Sequence, residues 1–205
     1  NNLTVRPEAV GRLKNLQELH LSENKLAALP LAIGDLTALQ DLRLQYNNLQ
    51  SLGREIGQLF SLSHMNASYN KLLQIPAEII GMTSLTQLEI DSNEIQSLPA
   101  NIGALSKLVD ISIVGNKITE LPSEMGALTL LRTIRCDVEK FTSPPPEVFA
   151  QGSEVLVEYL SRLESARSSN RLMLNDLGLQ VLPSAVVLME SLEVLNVDGN
   201  NLKNF

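Results

Sequence analysis

The chain has 205 residues, a formal net charge of −7 and one cysteine; 44% of it is hydrophobic, yet only 3% is aromatic. No apolar run reaches the roughly 18 residues a membrane helix needs, and an acidic balance without a Lys/Arg block argues against nucleic acid or an anionic membrane as partner. One cysteine excludes an internal disulfide, and 39 leucines with no tryptophan indicate one aliphatic environment used many times over, unlike the mixed core of a compact enzyme.

Asn1, Asn24, Asn47, Asn70, Asn93 and Asn116 stand 23 residues apart, without insertion or deletion. Around them the frame Leu16-x-x-Leu19-x-Leu21-x-x-Asn24-x-Leu26-x-x-Leu29-Pro30 recurs, for example as Leu85-x-x-Leu88-x-Ile90-x-x-Asn93-x-Ile95-x-x-Leu98-Pro99. The Leu-x-Leu stretch alternates and predicts a short strand with one apolar face. The Asn follows where the chain turns, and its amide suits a ladder of bonds to backbone groups of neighbouring turns. Leu-Pro starts the return, with φ fixed by proline. Ile33-Gly34-x-Leu36 and its counterparts at Ile56, Ile102 and Met125 predict a short 3₁₀ or α turn over the core. One unit cannot bury its own apolar face, so neighbours bury it together.

The pattern breaks at the seventh register, where Glu139 replaces the asparagine although Leu131-x-x-Ile134-x-Cys136 keeps the strand frame. Ser143-Pro144-Pro145-Pro146 then ends regular structure. Leu156, Tyr159, Leu160 and Leu163 follow at i, i+3, i+4 and i+7, which predicts an amphipathic helix with Ser153 as N-cap. The polar stretch 164–170 reads as a linker. The frame resumes at Leu172-x-Leu174-x-x-Leu177-x-Leu179-x-x-Leu182-Pro183, with Leu177 in the asparagine position, and again up to Asn200.

These residues resemble the 23-residue, intracellular type of leucine-rich repeat over nearly the whole chain. The resemblance implies an α/β fold: a curved solenoid with a parallel sheet on the concave face, interrupted by one amphipathic helix. The expected divisions are a first block at 1–143, a Pro-rich segment, capping helix and linker at 144–170, and a second block at 171–205. The run Pro144-Pro145-x-Glu147-Val148-x-x-x-Gly152-x-x-x-Leu156-x-x-Tyr159-Leu160 is similar to a segment that follows the repeats in Ras-group-related and Roco-type proteins. It is more similar to that of the two-block proteins of the leucine-rich repeat-containing protein 40 group, and its implied role is to cover the edge of the first block. The chain starts inside a repeat at Asn1 and ends one turn after Asn200, as a fragment of a longer chain would. No signal peptide is visible, and the cysteine-bridged caps of extracellular relatives are missing, so a cytoplasmic location is expected, with the nucleus as the alternative.

Cys136 beside Asp137 has the form of a nucleophile with a nearby acid. It also occupies the register of Leu21, Leu44, Ile90 and Ile113, which points it into the core as an inert small hydrophobe, the stronger reading. His20 and His64 are two repeats apart and do not make a metal site, which needs three or four converging ligands. No phosphate-binding Gly-x-x-x-x-Gly-Lys motif and no Gly-x-Ser-x-Gly elbow occurs, and the sequons at Asn2 and Asn66 are as frequent as chance gives. No catalytic residue, cofactor or metal is expected.

The informative variation lies between the inward leucines. Columns one repeat apart run Glu18, Asp41, His64, Gln87, Asp110, Thr133; His20, Arg43, Asn66, Glu89, Ser112, Arg135; Ser22, Gln45, Ser68, Asp91, Val114, Asp137; and Glu23, Tyr46, Tyr69, Ser92, Gly115, Val138. On a curved sheet they form one concave surface. Aromatic residues anchor interfaces, so Tyr46 and Tyr69 with Asp41, Arg43, His64, Glu89, Asp91, Asp110 and Arg135 predict a docking face for a protein carrying a basic patch and an apolar groove. The bland alternative is a solvated sheet face. The resemblance implies small GTPases, phosphatase subunits, kinases or ubiquitin-pathway proteins as the range of partners. Its functional alternatives are a docking or sensor segment of a Roco-type GTPase-kinase and a structural part of a large assembly.

Overall fold

The computed structural model describes residues 8–203, so the first ladder position, Asn1, and the sequon at Asn2 lie outside the described residues. Strands β1 (Glu18–His20), β2 (Asp41–Arg43), β3 (His64–Asn66), β4 (Gln87–Glu89), β5 (Asp110–Ser112) and β6 (Thr133–Arg135) form one parallel sheet in chain order. Their registers pair Leu19 with Leu42, Leu42 with Met65, Met65 with Leu88, Leu88 with Ile111 and Ile111 with Ile134. Every pair is one repeat apart, so residues 23 apart stack directly. The inward residues Leu42, Met65, Leu88 and Ile111 join one continuous buried core with the apolar residues of the turns.

The return segments are 3₁₀ turns at Leu31–Asp35, Arg54–Gln58, Ala77–Gly81, Ala100–Ala104 and Ser123–Ala127. Four of them follow a proline with φ between −65° and −69°, the value the ring fixes. Close stacking of these turns explains the glycine in Ile-Gly-x-Leu: a Cβ on Gly103 would collide with the backbone carbonyl of Glu124 in the next turn.

Each interior asparagine binds two repeats. The Asn70 Oδ1 accepts the Leu49 N–H (3.0 Å), and its Nδ2 donates to Leu44 O (3.0 Å) and Ala67 O (3.1 Å). Asn47, Asn93 and Asn116 repeat the pattern. An exposed Glu139 ends the ladder, and β6 has no strand on its outer side.

Helices α1 (Pro146–Phe149) and α2 (Ser153–Ser169) occupy the place of the next repeat. Leu156, Tyr159, Leu160 and Leu163 are all buried, as their spacing predicts. A Cβ on Gly126 would collide with the Ser161 backbone, so α2 rests on the last 3₁₀ turn as another turn would. Two sequence expectations are corrected. The N-cap is Gly152 at φ 96°, while Ser153 Oγ donates to Arg132 O (2.6 Å); the tight α1–α2 turn requires a backbone that a serine adopts poorly. The stretch 164–169 is helix, not linker. Its polar residues are used across the interface: Ser123 Oγ donates to Glu164 (2.7 Å), Arg167 pairs with Glu124 (3.2 Å), and Ala166 is buried between them in sequence. Asn170 ends the helix in the left-handed region at φ 54°.

The second block has strands β7 (Arg171–Met173) and β8 (Val194–Asn196), paired in parallel, with α3 (Ser184–Val187) between them. The carbonyl of Met173 matches that of Arg135, which accepts the N–H of Ile113 from the preceding repeat (2.8 Å). Among the described residues no strand pairs with the other edge of β7, and α2 supplies the donor instead: Arg162 Nη1 donates to Met173 O (3.1 Å) and Asn175 O (3.0 Å). Leu177 is buried without a ladder, which Asn200 restarts by accepting from Leu177 and Leu179.

Candidate functional site

The strands are only three residues long, so the four columns fall on two kinds of backbone. Columns starting at Glu18 and His20 lie on the sheet. The first five members of the last column, Glu23, Tyr46, Tyr69, Ser92 and Gly115, lie just past it, on the rim, at positive φ (56°, 59°, 57°, 51° and 73°), whereas the sixth, Val138, starts a 3₁₀ turn instead. The same corner in the second block is taken by Asp176 and Gly199 at 59° and 68°. A left-handed backbone suits Gly, Asn or Asp and costs a bulky side chain about 1–2 kcal/mol. Two tyrosines occupy it here. Their rings stack at 4.4 Å between centroids and 10° between planes, and they remain 51% and 48% exposed. Desolvation within the stack, then the neighbouring Tyr69, hold the Tyr46 phenol above its usual range.

Of the nine predicted residues, Arg43, Tyr46, His64, Tyr69 and Arg135 are exposed, and Asp41, Glu89, Asp91 and Asp110 are half-buried. Most acids already have partners. Arg43 holds Asp41 through two nitrogens (3.2 and 2.9 Å), and this hydrogen bond keeps the Asp41 carboxyl below its ordinary range. The Asn66 amide donates to Glu89, and Gln87 donates to Asp110 (3.3 Å). Asp91 Oδ1 accepts from the Ser112 hydroxyl (2.7 Å) and the Val114 N–H (2.8 Å), which ties two repeats together. Ser68 and Ser112, expected on the open surface, are buried because Asp91 lies against both. Asp91 is therefore a structural part of the face as well as an acid on it.

Asp41, Arg43, Gln45, His64, Met65, Asn66, Gln87 and Glu89 enclose a shallow depression of about 220 Å³ on β2–β4. Gln45 was one column member among many in the sequence. The structure singles it out, because its Oε1 is fully covered and has no hydrogen-bond donor. No sequence signal marks it, since the covering depends on how its neighbours lean.

Cys136 packs half-buried against the core, less covered than its register predicts because no strand follows β6. Burial, then the charges of Asp137 and Glu139, push its thiol up to about 11. Asp137 Oδ2 accepts from Gly115 N–H (2.9 Å) and Lys140 Nζ (2.6 Å), and the Lys140 bond foremost holds its carboxyl below the ordinary range, which makes it a poor base. This arrangement maintains a thiol, not the thiolate that nucleophilic chemistry needs. Among the described residues no three His, Cys, Asp or Glu side chains converge as metal ligands, and no helix is long and apolar enough to cross a membrane.

The family model for leucine rich repeats matches residues 1–49 and 37–95. No curated relative matches by sequence. Among solved structures, a leucine-rich repeat protein of Leptospira interrogans is 26% identical with a TM-score of 0.54, over 100% of this chain and 48% of its own. The plant peptide hormone receptor RGFR1, solved in complex with RGF2, is 26% identical with a TM-score of 0.64, over 98% of this chain and 31% of its own. Internalin C2 of Listeria monocytogenes shares the fold at 20% identity and a TM-score of 0.58, over 64% of this chain and 56% of its own. The chain thus spans less than two thirds of the length of each.

Proposed function

We infer that this leucine-rich repeat protein is a non-catalytic interaction module that receives a protein partner on its concave sheet and the adjoining tyrosine rim. The observation that carries this reading is the stacked Tyr46–Tyr69 pair held at positive φ. The fold needs no aromatic at this corner: other repeats place Glu, Ser, Gly or Asp there. Two bulky rings that remain half exposed on a backbone unfavourable to them are better explained by contact with a partner than by folding. The preformed stack also lowers the ordering cost of binding. The plant receptor's complex with RGF2 supports a binding role for such a solenoid.

A scaffold or adaptor role in the cytoplasm belongs to the same proposal. It is supported by the lone cysteine and by the Pro-Pro-x-Glu-Val helix segment, whose Val148, Leu156, Tyr159 and Leu160 are all buried. Small GTPases and phosphatase, kinase or ubiquitin-pathway proteins form the proposed partner range.

The test separates folding from binding. The double variant Tyr46→Asn, Tyr69→Asn removes both rings and installs a residue that tolerates positive φ. Its melting temperature should equal or exceed that of the wild type, whereas a partner captured by the wild type and then purified should bind at least tenfold more weakly. A lower melting temperature with unchanged affinity would make the stack a structural element and defeat the proposal.

A further inference from the structure

Tyr46 and Tyr69 are equivalent residues of consecutive repeats. Arg43 pairs in register with Asn66, and the tyrosines stand three residues beyond them, at φ of 59° and 57°. The parallel ladder continues to this corner, where Tyr46 N–H donates to Ser68 O (3.1 Å). Residues so related leave the backbone in the same direction and differ by one strand spacing, about 4.8 Å. The rings keep that relation, at 4.4 Å between centroids and 10° between planes. Each ring carbon therefore faces its own counterpart, Cε against Cε. Desolvation foremost, and then the Tyr69 phenol, raise the Tyr46 phenol, which places both hydroxyl groups at one end of the stack. Both rings are half exposed, so a soluble oxidant reaches them, whereas Tyr159 is buried. Cys136 is three strands away, after β6, and burial foremost keeps it a neutral thiol.

We propose that this pair is a site of oxidative cross-linking, at which a Cε–Cε bond joins Tyr46 to Tyr69 and ties the repeat of β2 to that of β3. The oxidant is hydrogen peroxide acting through a haem peroxidase. Each phenol gives up one electron and its hydroxyl proton. The unpaired spin of a phenoxyl radical resides on the oxygen and on the ortho and para carbons; the para carbon bears the side chain, so Cε is the carbon open to bonding. The two radicals combine there, each bonded Cε loses its proton, and each oxygen regains one, which restores both rings. The pair loses two hydrogens in all, and the peroxide that takes up the two electrons and two protons leaves as two waters. Rings already held face to face couple far faster than rings on separate molecules. The bond closes a loop between residues 23 apart, so it restrains the unfolded chain as a disulfide of that span does.

The test treats the dilute full chain with hydrogen peroxide and a haem peroxidase, separates the products by denaturing electrophoresis and maps the monomer band by proteolysis and mass spectrometry. The monomer band should acquire the blue fluorescence of dityrosine and yield one joined peptide pair, Tyr46 with Tyr69, lighter by two hydrogens than its parts. Tyr69→Phe keeps a ring in the stack but removes the phenol, and should lower the monomer fluorescence at least tenfold. Tyr159→Phe should leave it unchanged. The joined monomer should melt at a higher temperature than the untreated chain. Fluorescence confined to covalent dimers, equal in wild type and Tyr69→Phe, or lost in Tyr159→Phe would overturn the site, and a joined monomer that melts no higher would overturn the restraint. None of these readouts involves a partner, so their failure is distinguishable from failure of the concave-face reading, which is decided by the affinity of the tyrosine double variant for the purified partner.

Discussion

Leu156→Asp should destabilise the chain by on the order of 5 kcal/mol, the sum of a lost core side chain and an uncompensated buried carboxylate. Leu156 is 0% exposed and lies on the α2 face that covers the last repeat of the first block. In a stacked array each unit depends on its neighbours. The damage should therefore begin at the 3₁₀ turn Ser123–Ala127 and at β7, which loses the Arg162 donor when α2 detaches. Hydrogen exchange is expected to accelerate first in β6 and β7, with β2–β4 remaining protected longest. Leu156→Met, nearly volume-conserving, should cost less than about 1.5 kcal/mol. An unaltered melting curve for the aspartate variant would mean that α2 does not pack on the repeats.

Asn70→Leu should cost about 1–3 kcal/mol despite adding apolar surface. The substitution strands the Leu49 N–H inside the stack and removes one of two donors from the carbonyls of Leu44 and Ala67, which keep their bonds from Asn47 and Asn93. Each backbone group left without a partner costs roughly 1–3 kcal/mol. Because the bonds join adjacent repeats, the loss should separate unfolding of the N-terminal repeats from the rest, giving a broader melt. Asn201→Leu, at an exposed site, should change stability by less than about 0.5 kcal/mol. Equal effects of the two substitutions would refute the ladder as a source of cohesion.

The stacking was legible because it depends on spacing alone. Asn24 to Asn116 fixes the period, the period fixes the register, and Leu42 over Met65 over Leu88 follows. The adjacency of Tyr46 and Tyr69 was legible for the same reason. Features that depend on side chains from distant segments were not. The polarity of 164–169 suggested a linker, because nothing local shows that Glu164 meets Ser123 or that Arg167 meets Glu124. Ser153 has the chemistry of a cap, but the sharp bend after α1 assigned that position to Gly152. Arg162 carries no sequence mark of standing in for a strand.

The face shows the same division. Alternation separated the inward leucines from the outward columns, yet it left Ser68 and Ser112 on the open surface, where the structure buries them, and it treated every outward residue alike. In the structure Asp91 is taken up by Ser112 and Val114, Asp41 by Arg43, and Gln45 Oε1 is covered without a donor. The positive φ of the tyrosine column was also hidden, since tyrosine is not a residue that signals a left-handed corner.

The claim on which all of this depends is that repeats one period apart lie in direct contact, and the tyrosines report on it. The chain contains three, Tyr46, Tyr69 and the buried Tyr159, so tyrosine-selective labelling gives a simple NMR spectrum. Direct stacking at 4.4 Å predicts nuclear Overhauser contacts between the ring protons of Tyr46 and Tyr69, with upfield ring-current shifts for both that vanish when either is replaced. Two independent rings with no mutual contact would contradict it.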